Sequence, residues 1–138
     1  MTLADHARRY LGVPFMHQGR RPHIGIDCIG LLVLACRDAG HLDKVAQDFT
    51  GYARDPHDGL LEFHLERIFG APVEGMQPGD IVALRYGGPI RHVGIVGEYL
   101  HGGLSLIHTD SRIGRVVEHR INDAWRKQIA AVFRLAAE

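Results

Sequence analysis

Residues 27–40 read Asp-Cys-Ile-Gly-Leu-Leu-Val-Leu-Ala-Cys-Arg-Asp-Ala-Gly, and no other stretch limits the fold as much. Asp27 is a favoured helix N-cap and Gly40 a favoured residue just past a helix end, so the spacing predicts a helix over 28–39. A surface helix carries one apolar stripe, whereas the interior of this one, Ile29 to Ala35, is apolar on nearly every side. Such a helix has to be buried, and the domain is built around it.

The flanking segments supply what covers it. Thr2 is a candidate N-cap for a short helix over 2–11, with Leu3, Ala7, Tyr10 and Leu11 at helical spacing. Residues 12–25 are rich in Gly, Pro and basic side chains and read as an extended loop. Residues 41–56 read as irregular surface chain, and 58–69 as an amphipathic helix ending at Gly70. After Gln77-Pro78-Gly79-Asp80 the character changes to short β-like runs at 81–86, 91–97, 104–109, 115–121 and 129–135, several separated by Gly-rich turns. Helices first and adjacent strands afterwards predict an α+β fold, with the central helix packed on an antiparallel sheet of five to six strands. Repeats, low-complexity tracts and linkers are absent from the 138 residues, so a single domain over 1–138 is expected.

Composition excludes several classes of function. Lys plus Arg and Asp plus Glu balance at 16 each, which leaves no electrostatic footprint for nucleic acid or a membrane surface. The opening residues Met1 to Gly12 lack the apolar core of a signal peptide, and no apolar run reaches membrane-spanning length. The expectation is synthesis in the cytoplasm, without membrane insertion. Ten histidines invite a search for a metal site. There is no H-E-x-x-H, no C-x-x-C and no closely spaced ligand set, and His57 and His64 share a helix face without obvious partners. Nucleotide-binding glycine motifs are missing too, so neither metal nor cofactor is expected.

The two cysteines differ in placement. Eight helical residues separate their Cα atoms by about 12 Å, well beyond the roughly 7 Å a disulfide spans. Cys36 lies two turns inside the helix and reads as core. Cys28 occupies the helix start, where the dipole and unpaired N–H groups lower a thiol pKa and can hold an oxyanion. Gly25 and Gly30 leave room beside it. A small core residue is the competing reading, and position alone does not decide between them. A nucleophilic thiol needs a histidine base oriented by a third group. His92 opens a strand and shares a face with Gly94 and Val96; a glycine there would let the central helix lie close to the sheet. His108 ends the next strand on the face of Leu106. A hairpin centred near His101 would set His108 opposite Gly94, two residues along from His92 on the same face.

These residues resemble the NlpC-type cysteine peptidases, papain-like enzymes that cleave bacterial cell-wall peptides. The likeness runs through Gly12-Val13-Pro14-Phe15, Gly25 to Leu31, Pro78-Gly79-Asp80-Ile81, Arg91 to Val96 and Ile107-His108, in order over nearly the whole chain. The loop His17-Gln18-Gly19-Arg20-Arg21-Pro22 before the cysteine looks most like the subgroup found in phage tails and gene-transfer agents.

The resemblance implies a papain-like fold with Cys28 as nucleophile, His92 as general base and His108 as the orienting third member. It also implies that Phe15, Gln18 and Asp27 border the substrate. The implied substrate is a peptidoglycan stem peptide, cut at the amide between a γ-linked D-glutamate and a diamino acid. The implied partners are tail-tip proteins of a virion or tail-like particle into which the protein is assembled. The family usually has tyrosine where this chain has Phe15, so the ring is kept and a hydroxyl is lost; His17 and Gln18 are candidate replacements. Arg20 and Arg21 either face carboxylates of the wall peptide or form a solvated basic loop. A structural tail-tip module with an unused thiol, and an amidase or acyltransferase of the same fold, are the alternative readings.

Overall fold

The computed structural model describes residues 1–53 and 59–135. Thr2 opens helix α1 (Leu3–Ala7): its N–H donates to Asp5 Oδ2 at 2.9 Å, and the Asp5 N–H donates to the Thr2 carbonyl at 3.1 Å. A 3₁₀ turn, Arg8–Tyr10, continues it, so the helix expected over 2–11 is two tighter pieces. The expected extended loop contains a two-residue antiparallel hairpin, β1 (Arg20–Arg21) and β2 (Gly25–Ile26). The central helix α2 (Cys28–Asp38) begins where Asp27 accepts the Gly30 N–H at 2.8 Å. It ends at Gly40, whose φ of 87° is the left-handed conformation that closes helices. One helical turn, α3 (Leu42–Val45), interrupts the segment expected to be irregular; four residues are too few to show a period. Helix α4 spans Leu60–Phe69, and the expected start at 58 lies outside the described residues, as does His57.

Five strands follow: β3 (Ile81–Leu84), β4 (His92–Glu98), β5 (Leu104–His108), β6 (Val117–Arg120) and β7 (Ile129–Phe133). They form one antiparallel sheet in the order β6-β5-β4-β3-β7. A short helix not expected from the sequence, α5 (Asp123–Gln128), precedes β7 and is capped by Asn122, which accepts the Trp125 N–H at 3.0 Å. The Pro78-Gly79-Asp80 turn is structural. Asp80, 1% exposed, accepts from the Gln77 N–H and from two nitrogens of Arg134 at 2.8 and 2.9 Å, tying the start of β3 to the end of β7.

The sheet has two buried faces. Ile81, Ala83, Val93, Ile95, Ile107 and Phe133 pack with α1, α2 and α4 in the main core, so the central helix lies on one face as expected. Val82, Leu84, Val96 and Leu106 form a second cluster beneath Ile121 and Trp125. Gly94 belongs to this second face, which corrects the expectation that it admits the central helix. A Cβ on Gly94 would stand 2.5 Å from Leu106 Cδ1 and 3.4 Å from the His108 Cβ, so the glycine makes room for side chains of the neighbouring strand. Gly94→Ala is expected to lower stability by about 1–3 kcal/mol through overpacking. Urea denaturation measures it, and an unchanged midpoint would contradict this placement.

Candidate active site

Asp27 organises the mouth of α2. Its carboxylate is 3% exposed and accepts four hydrogen bonds: from Gly30 N–H and Gln18 N–H, both at 2.8 Å, from Arg20 Nη1 at 3.0 Å, and from the Tyr52 hydroxyl. Arg20 extends the network to the Asp48 carboxylate, the Phe49 carbonyl and the Tyr52 hydroxyl. Neither expectation for Arg20 holds: it is an internal strut, while Arg21 alone is exposed. Gln18 sits at a left-handed φ of 58°, which presents its N–H to Asp27, and its side chain donates to the Tyr52 carbonyl at 2.9 Å.

With Gly30 N–H on the Asp27 side chain and Leu31 N–H on the Asp27 carbonyl, the first-turn donors left at the helix mouth are those of Cys28 and Ile29. Cys28 as a residue is partly exposed, and its thiol lies against the backbone N–H groups of Val93 and Ile29. The helix start therefore abuts the start of β4, one residue beyond His92. The lowered pKa expected of this thiol is not found. Burial first, then the adjacent Asp27 carboxylate, push it up to about 12, against the opposing pull of the two N–H groups and Arg20. The thiol rests protonated, and its use as a nucleophile requires a base.

Cys28 and His92 line one cavity of about 370 Å³, together with Phe15, Asp27, Tyr52 and Tyr86. Gln18 is not part of that wall. His92 is 2% exposed and its Nε2 stands 2.7 Å from His108 Nδ1. His108 is fully buried, and its Nε2 stands 2.7 Å from Nε2 of His119. His119 Nδ1 in turn meets the Arg120 carbonyl at 2.9 Å. Burial, the largest influence on each, holds His92 and His108 below the ordinary histidine value, so both rings are neutral near pH 7.

The register explains why three rings meet. Ile95 pairs with Ile107, so one step on Gly94 faces His108, as the hairpin centred on His101 requires. His108 pairs with Val117 and Leu106 with His119. Each histidine is thus the diagonal neighbour of the next, on strands β4, β5 and β6.

Three aromatic residues of the site carry no sequence signal. Tyr86 stacks on His92 with centroids 5.0 Å apart, at a left-handed φ of 51° set within the turn before Gly87-Gly88. Its hydroxyl donates to Asp110 Oδ2 at 3.1 Å. Trp125 stands edge-on to His108 at 5.1 Å and lies 4.7 Å from His119. Tyr52 brings to the cavity a hydroxyl that Phe15 lacks, although that hydroxyl is engaged by Asp27 and Arg20. His64 stacks on Phe49 at 3.8 Å, a packing role.

Access and acidity together predict a labelling pattern. Cys28 borders the cavity and Cys36 is 1% exposed, so iodoacetamide is expected to modify Cys28 first. Because the thiolate is the reacting form and the pKa is raised, the rate should climb about tenfold per pH unit from 7 to 9. A rate that levels off near neutral pH would contradict the raised thiol.

The family model of NlpC/P60 matches residues 12–134. No curated protein sequence matches the chain significantly. Among solved structures, the NlpC/p60 domain of the peptidoglycan hydrolase SagA superposes with a TM-score of 0.63 at 20% identity, over 97% of each chain. An NLP/P60-family protein from Staphylococcus aureus, described as similar to lipoprotein, gives 0.60 at 21% identity over 99% of this chain. The present chain spans only 41% of that protein's length. The family match over nearly the whole chain and the shared fold agree: the chain belongs to the NlpC/P60 family.

Proposed function

We propose that the chain is a cysteine peptidase that hydrolyses peptidoglycan stem peptides. The observation that carries this reading is the line from Cys28 at a helix start, across the shared cavity, to His92 held by His108 at 2.7 Å. With Nε2 of His92 occupied by His108, Nδ1 is the nitrogen left for the thiol. Nδ1 takes the Cys28 proton as the sulfur attacks the amide carbonyl carbon. The N–H groups of the helix mouth receive the negative charge on the tetrahedral oxygen. His92 then returns the proton to the leaving amine, and water hydrolyses the thioester by the same acid–base cycle.

The scissile bond of this reading joins a γ-linked D-glutamate to a diamino acid. The protein acts within a phage-tail or gene-transfer-agent particle, made in the bacterial cytoplasm and assembled beside tail-tip proteins. Its support is the likeness of the 17–22 loop to that subgroup. Phe15, which lacks the usual hydroxyl, favours a second reading, a tail-tip module without turnover.

Digestion of purified peptidoglycan decides between them. Wild-type protein is expected to release stem-peptide fragments identifiable by mass spectrometry, and Cys28→Ala none, a loss of at least about a thousandfold. Equal release by both proteins, or release by neither, would overturn the peptidase assignment.

A further inference from the structure

We propose that His119 is a positioning residue that, together with the Arg120 carbonyl, locks the tautomers of all three histidines so that His92 keeps a bare Nδ1 for Cys28. The inference rests on the peptidase reading for its purpose and on hydrogen-bond geometry for its content. A carbonyl only accepts, so the 2.9 Å contact with Arg120 puts a proton on Nδ1 of His119. In a neutral ring its Nε2 is then bare and must accept from Nε2–H of His108 across 2.7 Å. His108, neutral in its turn, has a bare Nδ1 that accepts Nε2–H from His92, again across 2.7 Å. That assignment leaves Nδ1 of His92 without a proton. For a neutral His119 the reverse polarity is closed off, because it would aim the His119 Nδ1 lone pair at the carbonyl lone pairs.

Burial supports the neutral state of the inner rings, since it disfavours charge on both His92 and His108. Shared ligation of a metal fits poorly, because two nitrogens on one tetrahedral ion stand about 3.4 Å apart. Trp125 packs against His108 and His119, and Tyr86 stacks on His92, so aromatic side chains cover the line. The lock has a chemical consequence. After His92 accepts the thiol proton, both of its nitrogens carry hydrogen, and no other proton has to move.

The test is a long-range ¹H–¹⁵N correlation spectrum of ¹⁵N-histidine-labelled full chain at pH 7, with rings assigned by single substitutions. The expected pattern is protonated Nε2 on His92 and His108, with protonated Nδ1 on His119. His119→Phe removes the terminal acceptor and is expected to mix the tautomers of His108 and His92. It should also lower kcat on stem peptides roughly 10- to 100-fold with KM nearly unchanged. His119→Gln, whose carbonyl can accept the His108 proton, should restore both the pattern and most of kcat. Protonated Nε2 on wild-type His119 would overturn the lock. So would a His119→Phe spectrum unchanged at His92 and His108. The spectrum does not depend on turnover: the expected pattern in a chain that cleaves nothing would refute the peptidase and leave the lock standing.

Discussion

The mouth of helix α2 depends on one buried carboxylate. Asp27 caps the helix, holds the preceding loop through Gln18 N–H and Arg20, and anchors Tyr52 from a segment 25 residues downstream. A buried carboxylate is costly unless every lone pair is engaged, and here four donors engage it. The same charge has a chemical effect next door. It adds to the larger effect of burial in pushing the Cys28 thiol pKa up, so that thiolate forms when a base takes the proton.

The base comes from a different architectural device. Cys28 enters from the helix side of the sheet, whereas His92, His108 and His119 lie on the face that bears Val96 and Leu106. The two halves meet because His92 is the first residue of β4 and the Cys28 sulfur rests on the N–H of Val93. Strand register, not loop conformation, sets the spacing of the histidines. A one-residue slip of β5 would turn His108 to the helix side and dissolve the line. Gly94, against which Leu106 and His108 pack, holds the place where any larger side chain would push that register apart.

Much of this was legible in the sequence, for physical reasons. The cap at Asp27 and the all-apolar run behind it define α2, and the turn centred on His101 sets the alignment of His108 against Gly94. What escaped was decided by tertiary context. The six residues of α5 are too few to display a helical period, so Trp125 could not be placed over the histidines. Tyr86 reads as the end of a strand until the turn bends it to a positive φ and lays it on His92. The sign of the Cys28 shift was missed because a helix-end argument counts the dipole and omits burial beside Asp27. His119 sits in a polar, half-exposed strand, and nothing in its local sequence separates it from a solvated histidine.

The central claim is that sulfur 28 forms a covalent bond to the substrate's acyl group. Acid-quenched reactions of the full chain with soluble stem peptides, read by intact-protein and peptide mass spectrometry, test it most directly. The account predicts a thioester adduct confined to Cys28 in the wild type and absent from His92→Ala. Product release without any adduct on Cys28, or an acyl group carried by another residue, would contradict it.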